Sequence, residues 1–242
     1  MLNIPSDYSL PNLYYFSSNI LVEIRRQLTK LVSVLKQAGF EECRLPFLVP
    51  KSILLNYEGL VLLENFIKVF SGKDRRSHAY LRPDGIFSQG ITLAAKMIKS
   101  YRNLPLKLFE VSPGYVKIRN NYKWDIFASP EQSFSIQGGI FTEDNKGNKY
   151  CQLLLSAIFK EFSIIYTTKD TKSLKAKSIQ YVTKFKDNEV TIASFYDFNQ
   201  EVTKRANIYF FNKKGISAFP YMYTFSLSQN IFLLKILTKQ KG

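Results

Sequence analysis

Between Ser17 and Ala38, apolar residues recur at three- and four-residue spacing: Ile20, Leu21, Ile24, Leu28, Leu31, Val32 and Leu35, with Arg25, Arg26, Lys30 and Lys36 between them. That period predicts one amphipathic helix. Gly39 stands where a C′ residue ends it. Phe40-Glu41-Glu42-Cys43-Arg44-Leu45-Pro46 then reads as an extended segment, closed by a proline that a central ladder does not take.

Further on, Ile53–Asn65 reads as a short helix or an irregular apolar stretch. Ile67–Phe70 and His78–Arg82 alternate as strands around the turn chemistry of Ser71–Ser77, which predicts a hairpin. A helix is expected over Ile86–Tyr101, and strands over Leu104–Val111, Gly114–Ile118 and Ser133–Thr142. In the last of these, Gly138-Gly139 predicts a bulge or a close backbone approach. Tyr150–Tyr166 reads as an apolar helix and Lys169–Lys177 as a polar connection. Strands follow at Ile179–Lys184, Glu189–Phe195 and Asn207–Asn212, with a final helix over Ser226–Thr238. Hairpin-joined strands flanked by a few helices predict an α+β fold, a largely antiparallel sheet in a single domain over residues 1–242.

Composition narrows the class. The 242 residues are 45% hydrophobic and 15% aromatic, enough to bury a core. Cys43 and Cys151 form no CxxC, so a disulfide framework and a zinc ribbon are both excluded, and a reducing, cytoplasmic setting is expected. Polar residues interrupt the apolar windows Ile53–Leu63 and Tyr221–Leu237, so no membrane span is expected. No GxxxxGKS, GxGxxG, HExxH or GxSxG element is present. No cofactor or metal is expected. His78, the only histidine, follows a charged turn with no plausible Ser, Cys or carboxylate partner for base catalysis and reads as a solvated side chain.

The net charge is +15, which favours an anionic partner such as nucleic acid. The lysines are scattered, however, and the joint richness in Lys, Ile, Phe, Tyr and Asn is a compositional bias in its own right. Nucleic-acid binding therefore stands as the second reading, because a clustered stripe is what makes a footprint.

Three features in one order resemble the catalytic core of class II aminoacyl-tRNA synthetases, specifically the histidyl branch. They are the long helix leading into Gly39–Pro46, the hairpin ending in Tyr80-Leu81-Arg82-Pro83-Asp84-Gly85, and Leu104–Val111 leading into Ser112-Pro113-Gly114-Tyr115. In that family they correspond to the dimer-forming motif 1, the "LRPEGT" element and the strand entering motif 2. The resemblance covers residues 12–118 best. It implies a homodimer whose seam includes Leu45 and Pro46, and a ligand pocket with Arg82, Asp84 and Gln137. Asp84 takes the place of the family's amino-group-binding glutamate, as in the regulatory subunit of ATP phosphoribosyltransferase. The competing readings are a plain turn for Arg82–Gly85 and a surface strand glutamine for Gln137.

The departures from the family are as informative. Along motif 2, Val116 falls on the phosphate-gripping arginine and Ile118 on the family's glutamate, with Arg119 out of register. Along motif 3, Thr224–Phe232 fits in outline only, with Ile231 where the arginine belongs. The "RGLDYYTG" element has no counterpart beyond Thr203–Phe210. The chain stops just past motif 3, so no anticodon-binding domain is expected. Loss of both arginines implies a catalytically silent paralogue of the regulatory-subunit type, partnered by a phosphoribosyltransferase catalytic subunit. A nucleic-acid-binding accessory protein on the same core is the alternative.

Overall fold

In the computed structural model, which describes residues 18–61, 63, 66–70, 78–81, 89–115, 131–173 and 175–239, the first helix is α1, Ser18–Gln37. Its buried stripe is Ile24, Gln27, Leu31 and Leu35, the expected face. Gly39 ends it at φ +79°, with its N–H on Lys36 O and that of Phe40 on Leu35 O, the paired bonds of a Schellman stop. Lys107 Nζ and Tyr150 Oη both donate to Ala38 O, at 2.9 Å each, and so satisfy a terminal carbonyl that the helix leaves open.

β1 (Glu41–Glu42) runs parallel to β5 (Leu106–Tyr115), at one edge of a seven-stranded sheet. The rest of that sheet is antiparallel: β6 (Glu131–Thr142), β12 (Tyr221–Leu227), β9 (Asn188–Asn199), β8 (Ala176–Phe185) and β7 (Thr167–Ser173), in that spatial order after β5. A three-stranded sheet joins β2 (Leu48–Pro50), β4 (His78–Leu81) and β3 (Ile67–Phe70), so the expected β3–β4 hairpin forms. β10 (Phe210–Phe211) and β11 (Ser217–Ala218) make a small separate hairpin.

The large sheet has two differently dressed faces. On one, α1, α4 (Gly147–Glu161) and α6 (Asn230–Lys239) bury Phe109, Ile140, Tyr223, Phe225 and Phe195. On the other, at the end where β5 begins, α2 (Lys51–Leu54), α3 (Ile91–Met97) and α5 (Glu201–Arg205) cover Leu106, Leu108, Phe141, Met222 and Phe198. The α+β class with a mainly antiparallel sheet is therefore what forms.

Several expected elements differ, each for a local reason. The central strand β12 lies in the apolar window Tyr221–Leu237, where Tyr223, Phe225 and Leu227 alternate with Thr224 and Ser226 over only five residues before the apolar run of α6 begins. So short an alternation beside a longer apolar run is easily read as part of the helix. Lys169–Ser173 and Ala176–Lys177 are no loop but the turn end of the β7–β8 hairpin, which pairs from Thr167↔Val182 to Ser173↔Ala176. Its polar side chains suit an edge strand. Gly114 and Tyr115 continue β5 past a register shift after Ser112 and begin no new strand. α4 ends at Glu161, where Ser163 takes φ +55° and Ile164 N–H bonds Phe159 O. A serine in the left-handed region gives no glycine to read. Of the helix expected over Ile86–Tyr101, residues 86–88 lie outside the described residues, α3 covers Ile91–Met97, and Tyr101–Asn103 is a separate 3-10 turn. The strand expected over Asn207–Asn212 is only Phe210–Phe211, and the final helix begins at Asn230.

Candidate functional site

Side chains on a strand alternate between faces, so residues paired across neighbouring strands share one face. One such row crosses six strands: Glu110 on β5, Gln137 on β6, Ser226 on β12, Ser194 on β9, Gln180 on β8 and Lys169 on β7. Every member is polar. The rows on either side belong to the helix-covered face and run Phe109–Gly138–Phe225–Phe195–Ile179 and Val111–Ile136–Leu227–Ala193–Tyr181. The polar row therefore lies on the face away from α1, α4 and α6, and Thr224, Ser178 and Thr171 extend it towards the second core.

Glu110 is fully buried, and its Oε1 accepts the Leu45 N–H at 2.8 Å, which ties the Cys43–Phe47 segment to the floor of the row. Gln137 is 2% exposed and donates from Nε2 to Ser135 Oγ at 3.3 Å. Ser135 Oγ in turn donates to Ser112 O at 2.8 Å. Among the described residues Ser112 Oγ is buried without a hydrogen-bond partner. A buried hydroxyl left unmatched is uncommon, and this one stands beside the register shift in β5. Bulges of this kind re-aim strands next to binding sites. The row thus combines one buried carboxylate, two carboxamides and several hydroxyls, a set that recognises a small polar ligand by hydrogen bonds.

The strand β12 leaves the row at Ser226 and turns into α6. Ser228 N–H bonds Ile192 O, Ser228 Oγ accepts the Asn230 N–H, and Asn230 Nδ2 donates to Thr191 O. These bonds seat the start of α6 on β9. Ile231 follows in the first turn, with 0% exposure, inside the helix-side core. It presents no charge to the sheet.

Of the residues singled out in the sequence, Gln137 lies in the row, buried and opposite both Glu110 and Ser226, so it is no surface glutamine. Arg82 and Asp84 lie outside the described residues, as do Val116, Ile118 and Arg119. Leu45 is buried in the chain's own second core, whereas Pro46, Phe47 and Leu48 are exposed. His78 opens β4 opposite Phe70. Glu41 and Glu42 are exposed, and Glu42 pairs with Lys36 at 2.8 Å. Glu110, Ser226, Ser194 and Gln180 were not anticipated. Their signal was there to find: each is a polar residue beside apolar neighbours in a strand.

Cys151 sits in α4 against the helix-covered face. Burial, and then the Asp197 carboxylate, push its thiol well above the usual range, so at neutral pH it is a neutral packing group and no nucleophile. Among the described residues no cluster of His, Cys, Asp and Glu is arranged to hold a metal ion. Among them, too, no helix is long and apolar enough to cross a membrane.

No protein-family model matches the chain, and no curated protein matches it. Solved structures do. The chain overlays Giardia lamblia prolyl-tRNA synthetase in complex with prolyl-adenylate at a TM-score of 0.82 and 15% identity, covering 95% of this chain and 48% of that one. It overlays Cryptosporidium parvum prolyl-tRNA synthetase with halofuginone and AMPPNP at 0.79 and 14%, covering 96% and 50%. The same enzyme with L-proline and AMP gives 0.78 and 15%, covering 96% and 48%. The chain spans about half the length of these structures. Its fold is that of the class II aminoacyl-tRNA synthetase catalytic core.

Proposed function

We propose that this chain is a synthetase-like core that retains a small-ligand pocket over the polar row but not adenylate chemistry. In this reading it acts as a sensing subunit of the ATP phosphoribosyltransferase regulatory type. The observation that carries it is Ile231. At the position matched to the motif 3 arginine stands an apolar side chain, wholly buried in the first turn of α6. A guanidinium there supplies a permanent, forked positive charge to a phosphate. Losing one such stabiliser of developing charge costs about 3–4 kcal/mol of barrier.

Retained binding is supported by the row itself. Glu110, Gln137 and the unmatched Ser112 hydroxyl offer an acceptor, a carboxamide and a free hydrogen-bonding position on one face. The solved structures of this fold named above hold prolyl-adenylate, or L-proline with AMP, so aminoacyl and nucleotide ligands are the class to test.

Two measurements test the reading together. Thermal denaturation with histidine, proline, AMP and ATP should show a rise in melting temperature for an amino acid, since a ligand that binds only the native state adds RT ln(1 + [L]/Kd). Glu110→Gln should weaken that rise. Pyrophosphate exchange into ATP should stay at the level of a heat-killed control with either amino acid. Exchange above that level overturns catalytic silence. Failure of every ligand to shift the transition overturns sensing.

A further inference from the structure

We propose that the β10–β11 hairpin and the segment Lys96–Asn103 together form a binding surface for single-stranded nucleic acid. The proposal is independent of the ligand reading above, because this surface lies where β5 begins and the polar row crosses β5 farther along, at Glu110.

The backbone brings the two stretches together. Ser100 and Phe211 form a parallel bridge, and the Phe211 N–H bonds Lys99 O at 3.3 Å. Phe210 is 1% exposed and anchors the hairpin in the second core. Its neighbours therefore point the other way: Tyr209 is 44% exposed and Phe211 50%, with ring centroids 5.9 Å apart at 87°. The turn beyond is rigid. Asn212 Oδ1 accepts the N–H groups of Lys214 and Ile216, and Gly215 takes φ +73°. Lys213 and Lys214 are held at its tip.

Cations flank Tyr101 on the adjoining segment. Lys213 Nζ lies 5.8 Å from the Tyr101 ring centroid, and Arg102 Cζ lies 5.9 Å from the same ring. Lys96, Lys99, Arg102, Lys213 and Lys214 are all exposed. No Asp or Glu occurs between Gly85 and Phe109, nor anywhere from Val202 to Gly242. Four surface lysines elsewhere have acidic mates: Lys30 with Glu161, Lys36 with Glu42, Lys146 with Asp144, Lys169 with Glu189. Among the described residues no ion pair neutralises the cations of this surface.

A polyanion with unstacked bases fits such a surface. Exposed rings offer stacking platforms to any base, and flanking cations release counterions from the phosphates. A duplex fits poorly, because its bases are already stacked and cannot reach two rings at right angles.

Fluorescence anisotropy of the full chain with a labelled oligouridylate of about 12 nucleotides, an oligothymidylate of equal length and the matching duplex tests this. The single strands should bind more tightly than the duplex, and log K should fall linearly with log salt, by about 0.7 for each phosphate contacted. The double variant Tyr209→Ala with Phe211→Ala should lose about tenfold or more in affinity with its salt slope kept. Lys213→Gln with Lys214→Gln, at the exposed turn tip, should flatten the slope. Four results overturn the proposal: no binding at about 50 mM salt, a duplex bound as tightly as single strands, an aromatic variant that binds like the parent, or a native mass that changes in that variant. The last would make the surface a contact between copies.

Discussion

The tip of the Phe225 ring closes on Gly138, so near that a β-carbon there would stand 2.1 Å from Cζ. The two residues are paired across β12 and β6, in the row immediately beside the polar one. Phe225 also meets Phe40 edge-on at 5.7 Å, so its ring has no room to retreat. Gly138→Ala should therefore cost about 1–3 kcal/mol by overpacking. Urea denaturation should show the loss, and Phe225→Leu in the same chain should recover part of it. Additive losses would mean that the ring and the glycine are not coupled.

Placing an arginine at Ile231 should unfold the protein before it adds any chemistry. Ile231 is enclosed by apolar neighbours, and an unpaired charge there is expected to cost about 3–5 kcal/mol. The urea midpoint of Ile231→Arg should fall sharply. A variant as stable as the parent and active in pyrophosphate exchange would show that the start of α6 still accepts a phosphate clamp.

Stability should decline on the alkaline side. Burial, followed by the neighbouring Tyr166 hydroxyl, pushes the Tyr181 phenol up to about 12 from 10.0. The Cys151 thiol is raised from 9.0, mainly by burial. A raised pKa in the folded state means that the native protein holds the proton longer than the unfolded chain. The contribution is then complete below the unfolded pKa and lost as pH rises through the folded one. The unfolding free energy should hold steady up to about pH 9 and fall above it. Tyr181→Phe should flatten the upper part of the fall. In a thiol assay Cys43 should react in the native protein, whereas Cys151 should need denaturant.

Assembly is expected to use α1 and the segment after β1. Val22 is 64% exposed, Phe47 38% and Leu48 49%, apolar surface that a two-fold partner would cover twice. A native mass twice the 28.0 kDa chain is expected at micromolar concentration, and Phe47→Glu with Leu48→Glu should halve it. A parent protein sedimenting at 28.0 kDa removes the dimer.

Local pattern alone determined much of this molecule. The period of Ile24, Leu31 and Leu35 specified α1 and its buried face, and Gly39 specified its end, whereas at Gly138, where a bulge or a close backbone approach was expected, a side chain closes in, the Phe225 ring. The helix and its end rest on neighbours in sequence, where helix period and backbone freedom act directly. Tertiary structure decided the rest. β12 is central because β6 and β9 pair with it, a place that its short alternation of Tyr223, Phe225 and Leu227 with Thr224 and Ser226 does not fix. β7 is a strand because β8 supplies its hydrogen bonds, although its side chains read as a loop. The polar row is composed of single residues from six strands, unremarkable one by one, and Gln137 belongs to it only because Glu110 and Ser226 are set opposite. Likewise Lys99 and Lys213, far apart in sequence, come to one surface only when residues 99 and 211 meet. Sites made of distant residues depend on strand register and loop contact, and those are set by the packing of the whole chain.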